Sequence, residues 1–248
     1  MPLYRTEALV LRTASIGESD RIVWFLTRDR GKKRGVAKGA LRSRRRFAGA
    51  LEPLTYGRVA YAERDARELV RLEFVEPLVS PLALADPEAL GHVGYFAELI
   101  DEWAPEGQPD ERLFRLGVST VRALAAGAPV APLARYFEYW LLRLQGVYPP
   151  LAACPACGGS LAAGAAVLPR DRVLVCRDCA GAALPAAAAL SADAVAFLRE
   201  AARLAPEALG RAAPPPEALR ELELAHRRLL AFHLEREPRS ARVLEGLR

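Results

Sequence analysis

The sequence lacks most of the patterns that announce an enzyme or a membrane protein. No window approaches the roughly 18 uncharged apolar residues that a membrane span needs, and the Ala-rich stretch Ala180–Leu190 is short and contains Pro185. The opening residues, MPLYRTEALVLR, carry Arg5, Glu7 and Arg12 without a long apolar core, so no signal peptide is expected. The segment GKKRG, Gly31–Gly35, has neither the second half of the GxxxxGK[ST] pattern nor its hydroxyl, which excludes a P-loop. No GxSxG occurs. Histidine is scarce, with only His92, His226 and His233. The last two can share a helix face, and each reads as a lone, partly buried ring. The acids Glu63, Asp65 and Glu68 cluster near a hairpin turn, which exposes carboxylates instead of converging them on a catalytic metal. No constellation meets the geometric roles that catalysis requires, so the chain is not expected to be an enzyme. The expected compartment is the cytoplasm, where thiols stay reduced. No internal repeat is present.

What the sequence does have is positive charge in one place. The whole chain of 248 residues is 52% hydrophobic and 26% charged, with a net charge of +5, so it can bury real cores. Residues 1–80 hold 17 Lys or Arg against 10 Asp or Glu, whereas the remainder holds 18 against 20. The excess concentrates in RDRGKKRGVAKGALRSRRR, Arg28–Arg46, with ten cations and one acid in nineteen residues. A basic module beside a near-neutral one points to a polyanionic partner for the first.

Around that run the pattern is strand-like. Residues 3–13 are β-rich, and in DRIVWFLT the residues Ile22, Trp24 and Leu26 share one face and Val23 and Phe25 the other. RDRG reads as a tight turn with KKRGVAKGA returning from it. LTYGRVAYAER and RELVRLEFVEPL form a second pair, joined near Arg64–Asp65–Ala66. Five short strands with little room for helix suit a small closed barrel, which removes exposed edges. Beyond Pro77 the period becomes helical. Asp86 is an N-cap ahead of Pro87, Asp110 opens a second helix running to Gly127, and Pro132–Gly146 is a third. Helical pattern resumes at Ser191, continues through residues 214–235 and returns in the tail RSARVLEGLR. The expected architecture is multidomain α+β, with a five-stranded OB-fold barrel over 1–80, a helical domain in two parts over 81–150 and 183–248, and a module at 151–182 inserted between them.

The four cysteines fall as Cys154-x2-Cys157 and Cys176-x2-Cys179, two knuckles joined by eighteen residues. Paired CxxC motifs at this separation supply four soft ligands for a tetrahedral zinc ion. Four thiolates close the coordination sphere, so the expected ion is a single structural Zn2+. A redox dithiol pair and an ordinary reduced core are the alternatives.

A barrel with basic loops and aromatic rings is how OB-folds hold single-stranded nucleic acid, with cations on phosphates and bases on rings. The expected DNA contacts are Lys32, Lys33, Arg34, Lys38, Arg42, Arg44, Arg45 and Arg46. The candidate rings are Tyr4, Trp24, Phe47, Tyr56 and Tyr61, although most aromatics in so small a barrel are core. A zinc-containing RNA-binding or transcription-associated OB-fold protein is the alternative, and a structural adaptor with an incidental basic face is another.

The segment ESDRIVWFLTRDRGKKRGVAKGALRSRRRFAGALEPL resembles the N-terminal signature of the RecO family of bacterial recombination mediators, through Glu18, Thr27, Gly31–Lys32, Val36 to Ala40, Arg42 to Arg45, Leu51 and Pro53. RYFEYWLLRLQGVYPPLAACPACGG is similar to that family's central helix leading into its zinc insert, and HRRLLAFHLEREPRSARVLEGL is similar to its C-terminal end. Within the family the cysteines are present in some members only; all four are here. The resemblance implies an OB-fold, a helical domain and a zinc module. It implies binding of single- and double-stranded DNA, annealing of complementary strands, and work with RecR to load RecA onto DNA coated with single-strand-binding protein (SSB), in the nucleoid. It also implies a pocket on the helical domain for the acidic SSB C-terminal tail. The helix Pro132–Gly146 is a candidate, with Phe137, Leu141 and Leu144 as apolar surface and Arg135 and Arg143 near its two ends. The other reading is that this helix is bundle core and its arginines face solvent.

Overall fold

A computed structural model describes the chain apart from residues 1, 44–45, 48, 64–68, 85, 169–170, 182–187, 212–213 and 247–248. The chain forms two compact units, Met1–Gly127 with Arg239–Arg248, and Ala128–Pro238.

In the first unit the five strands are β1 (Leu3–Ile16), β2 (Asp20–Thr27), β3 (Gly31–Ala37), β4 (Tyr56–Ala62) and β5 (Val70–Val79). They close into a barrel in the order β1-β2-β3-β5-β4. β1 is long enough to serve two neighbours: its first half pairs with β4 and its second half with β2, with a register shift between Val10 and Arg12. Such a bulge bends the strand as a small barrel requires. All pairings are antiparallel except the closing one, where β3 runs parallel to β5 with Gly35 opposite Val70 and Ala37 opposite Leu72. A Cβ on Gly35 would lie 2.9 Å from Val70 Cγ2, so the missing side chain is what lets the last two strands meet.

The barrel core joins Ala8, Val10, Val23, Phe25, Ala37, Val59, Tyr61, Val70, Leu72 and Val75. The β3–β4 connection adds Phe47, Ala50 and Leu51, so this loop closes one end of the barrel. Two helices follow, α1 (Pro87–Trp103), capped by Asp86, and α2 (Glu111–Ala125), capped by Asp110 Oδ1 on the Leu113 amide. Both pack against β1. The C-terminal helix α7 (Arg239–Gly246) returns to α1, where the Glu98 carboxylate accepts from the Arg239 and Ser240 amides. A carboxylate at a helix N-terminus satisfies orphan donors and opposes the macrodipole.

The second unit begins with α3 (Val130–Leu144). A small antiparallel sheet follows, β6 (Ala165–Leu168), β7 (Val173–Cys176) and β8 (Ala188–Leu190) in the order β7-β6-β8, with the single-turn α4 (Arg177–Ala180) after β7. Then come α5 (Ala192–Ala201), capped by Ser191, and α6 (Pro216–Leu234). α3 packs against both α5 and α6.

Candidate nucleic-acid interface and metal centre

The cations of the basic run divide into two groups. Lys32 and Lys33 lie on β3 and are committed to ion pairs. Lys32 Nζ stands 3.3 Å from Asp101 Oδ1 and donates to the Asp101 carbonyl at 2.7 Å, one of the last carbonyls of α1 that its own helix leaves unpaired. Arg12 reaches the other oxygen of Asp101 at 2.7 Å. Lys33 Nζ meets Glu63 Oε1 at 2.8 Å, and both lysine side chains are largely covered. Arg34 is half-buried on the same strand. Arg28 pairs with Glu7 and Glu111.

The second group belongs to the β3–β4 connection and faces water. Lys38 is exposed, and the Arg42 side chain is 75% exposed with only a 4.0 Å approach to Glu18. Arg46 donates to the Lys38 carbonyl at 2.7 Å and lies over the Phe47 ring. Arg44 and Arg45, and the acids Asp65 and Glu68, lie outside the described residues. The start of the loop is tied to the β1–β2 turn: Gly39 donates to Asp20 Oδ1 at 2.7 Å, and the Leu41 amide donates to the Ser19 carbonyl. The Gly39 amide holds the Asp20 carboxyl below its ordinary range.

The rings are placed differently from the stacking expectation. Phe47, Tyr56 and Tyr61 are buried. Trp24 is covered by the Arg12 guanidinium, 3.6 Å from its ring centre, and Tyr4 by that of Arg30 at 3.9 Å. Three of the five candidate rings are thus core residues, and the two half-buried ones each carry an arginine on a face.

The four cysteines converge. Their Sγ atoms all lie within 4.8 Å of one another, with Cys154 buried, Cys176 half-buried and Cys157 and Cys179 exposed. Cys154 and Cys157 belong to a tight turn in which Gly158 donates to the Cys154 carbonyl, the Cys154 amide to the Gly159 carbonyl, and the Gly159 amide to Cys157 Sγ. Gly158 takes φ +73°, which a side chain disfavours. Cys176 and Cys179 flank the β7–α4 junction. The Cys154 thiol is lowered to about 6, chiefly by the Cys176 backbone amide, whereas Cys179, whose S–H donates toward the sulfurs of Cys176, Cys157 and Cys154, is pushed up to about 12. Four Sγ atoms this close together form a single soft donor set. A cation among the sulfurs is what would let all four deprotonate, so the residues fit a four-thiolate metal site.

Arg135 is buried, not at the surface of the unit. It donates to Glu138 Oε1 at 2.9 Å and lies 3.6 Å from Glu223. Glu138 Oε2 in turn meets His226 Nδ1 at 2.9 Å, and His226 Nε2 meets the Tyr148 hydroxyl at 3.1 Å. His226 is therefore neither lone nor partly exposed; it is the fully buried centre of this chain of contacts. Burial lowers its pKa despite the carboxylate beside it. The neutral ring then donates from Nδ1 to Glu138 and accepts from Tyr148 at Nε2. Helical spacing marks Arg135 and Glu138 as neighbours, but nothing in the sequence links them to a histidine 88 residues on.

Arg143 sits at the other end of α3 and is exposed, donating to the Tyr139 hydroxyl at 2.6 Å. It borders a cavity of about 670 Å³ that Tyr139, Tyr148, Pro149 and Leu151 also line, together with Arg199 and Arg203. Those two arginines escaped the sequence reading; their four-residue separation at the end of α5 was the available signal.

The model for recombination protein O N terminal matches residues 1–81, and that for recombination protein O C terminal matches residues 84–242. The chain belongs to the RecO family. It is 44% identical over 176 residues to a DNA repair protein RecO of Koribacter versatilis, covering 70% of this chain and 71% of that one. A protein of the same name from Anaeromyxobacter sp. (strain K) is 41% identical over 165 residues, which are 66% of this chain and 65% of the relative. One from Geobacter sulfurreducens is 43% identical over 163 residues, 65% and 66% respectively. No helix among the described residues is long and apolar enough to cross a membrane.

Proposed function

We propose that this chain is a DNA-binding recombination mediator in DNA repair. It binds single- and double-stranded DNA, anneals complementary strands, and works with RecR to load RecA onto SSB-coated single strands, in the nucleoid. The observation that carries the reading is the cationic connection at the end of a closed barrel, with Lys38 and Arg42 exposed and half-buried Arg46 tied to the Lys38 carbonyl, in a family whose members are named DNA repair proteins. Annealing needs no catalytic residue. Each strand carries about one charge per phosphate, and a basic surface that holds two strands screens their repulsion and concentrates them. The deciding experiment is a strand-annealing assay on bare and SSB-coated DNA. Acceleration of both supports the mediator reading; a preference for RNA over DNA in competition would favour the RNA-binding alternative.

The bound ion on this reading is one structural Zn2+ held by Cys154, Cys157, Cys176 and Cys179. A zinc–sulfur bond of about 2.3 Å gives tetrahedral sulfur–sulfur edges of about 3.8 Å, and Cys157 and Cys176 lie 3.8 Å apart. When bound, the ion would neutralise the thiolates and tie the two knuckles together, stabilising the fold without taking part in a reaction.

The acidic, apolar-ended SSB tail fits the cavity bordered by Arg143. Three arginines line it together with aromatic and proline residues, the combination that a carboxylate next to apolar side chains requires. Arg135, committed to Glu138 and Glu223, supports α3 from inside and does not reach the tail.

A further inference from the structure

A second, smaller cavity opens beside the cationic connection of the barrel. It measures about 240 Å³ and is lined by Arg21, Leu41, Ser43, Phe47, Leu51 and Glu52, among others. Its apolar lining comes from Phe47 and Leu51, both buried members of the barrel core, and from Leu41, 51% exposed, and the larger share of its lining is polar. Its polar groups are an arginine, a carboxylate and a hydroxyl. Arg21 and Glu52 approach to 4.0 Å, within ion-pair range but too far for a hydrogen bond to each other. Both therefore keep hydrogen-bonding capacity for a third party.

The described residues of the walls are tied by hydrogen bonds. The Leu41 amide is tied to the Ser19 carbonyl and Gly39 to Asp20 Oδ1, Ser43 Oγ accepts from the Arg46 amide, and the Thr55 amide closes a turn on the Glu52 carbonyl. Lys38 and Arg42, both exposed, flank the same loop. The cavity is smaller than the roughly 300–1,000 Å³ typical of sites for drug-sized ligands, and it suits one flat ring system.

We propose that this cavity captures a single unstacked base of bound DNA, with guanine preferred. The proposal rests on the DNA-binding reading given above. Unstacked bases are read by hydrogen bonds on their Watson–Crick edge and by apolar or aromatic side chains against their faces, and phosphates on either side of such a base would meet Lys38 and Arg42. Guanine alone presents two adjacent N–H donors, N1 and N2, next to an acceptor, O6. A carboxylate accepts both donors and an arginine donates to the acceptor. Glu52 and Arg21 form that pair. Adenine, cytosine and thymine each leave at least one of the two groups poorly matched.

The edge that this site grips is the edge used in base pairing. A guanine in the cavity must come from an unpaired strand, and it is surrendered when the strand finds its complement. The site would thus distinguish single from double strands in a barrel whose Phe47, Tyr56 and Tyr61 rings are buried.

The test is fluorescence anisotropy with the full chain and short thymine oligonucleotides, unmodified or carrying one central guanine or hypoxanthine, the last lacking the N2 amine. The guanine oligonucleotide should bind at least about fivefold more tightly than the unmodified one, the lower end for a good bidentate base contact. Hypoxanthine should lose most of that gain. Within each variant the ratio of guanine to unmodified oligonucleotide affinity is the readout: Glu52→Gln should bring it to about one, and Arg21→Gln should lower it. Thermal melts should confirm that both half-exposed substitutions leave the barrel folded. Equal binding of guanine and thymine strands, or a preference that survives Glu52→Gln, would overturn the site and leave the DNA-binding reading standing. Failure of every oligonucleotide to bind would overturn both.

Discussion

Two double substitutions that remove the same formal charge should have opposite consequences. Lys38→Ala with Arg42→Ala takes two cations from the exposed connection. Lys32→Ala with Lys33→Ala takes two from β3, where the lysines are already paired with Asp101 and Glu63. Counterion release makes the logarithm of single-strand affinity fall with the logarithm of salt by about 0.7 per phosphate neutralised. If Lys38 and Arg42 each hold one phosphate, their loss flattens that slope by about 1.4. Across a fourfold range of salt the variant's affinity then falls about sevenfold less than that of the unsubstituted protein.

The β3 variant should keep its slope and lose stability instead. Asp101 is left with Arg12 as its remaining ion-pair partner, and the Asp101 carbonyl loses its donor. Each charged hydrogen bond contributes about 1.5–3 kcal/mol where it is sheltered, and the Lys33–Glu63 pair, its acid 28% exposed, falls toward the lower end after solvent screening. A total of about 2–4 kcal/mol corresponds to a melting decrease on the order of 10 °C for a unit of this size. Anisotropy titrations with a thymine oligonucleotide at several salt concentrations, run beside thermal melts, measure both quantities. A β3 variant that melts normally and flattens the slope as much as the loop variant would refute this division of labour.

Four further outcomes are expected. Metal analysis of reduced protein should find about one zinc per chain, and Cys154→Ser, which removes the buried ligand, should lower the melting temperature more than the DNA affinity of the folded fraction. Gly31→Ala should destabilise the barrel by at least about 2 kcal/mol in denaturant titration, because Gly31 has φ +69° and its added methyl would collide with the Gln108 backbone. Arg135→Ala should cost about 3–5 kcal/mol by leaving Glu138 beside an unpaired site, whereas Arg143→Ala should weaken binding of an SSB tail peptide by roughly 1–3 kcal/mol with little change in melting. The folded state resists protonating His226, while the unfolded chain takes that proton near the ordinary value of 6.5. Stability should therefore fall as pH drops below that value and be unaffected by this group above it, and a thermal melt series should show less of this loss in His226→Gln.

Strands and helices were legible wherever a local rule operates. The alternation in Asp20–Thr27 marks β2, and Asp86, Asp110 and Ser191 cap the helices their positions announce. β8 was not legible: Ala188–Leu190 has little strand propensity and becomes a strand only by pairing with β6. Arg135 and Arg143 carry the same charge at opposite ends of one helix, and no local signal says that the first is buried against Glu138 and Glu223 and the second is exposed.

The sequence by itself determined the positive charge of the first eighty residues, the five-strand count, the helix caps and the spacing of the four thiols, because each of these is a matter of composition or short-range pattern. The tertiary structure alone decided which charges remain available. Lys32 and Lys33 met acids from distant parts of the chain when the barrel closed, Phe47, Tyr56 and Tyr61 were drawn into its core, and Arg21 and Glu52 were brought to one cavity across thirty-one positions of sequence. Ion pairing and burial depend on which surfaces meet, and that follows from how the strands close.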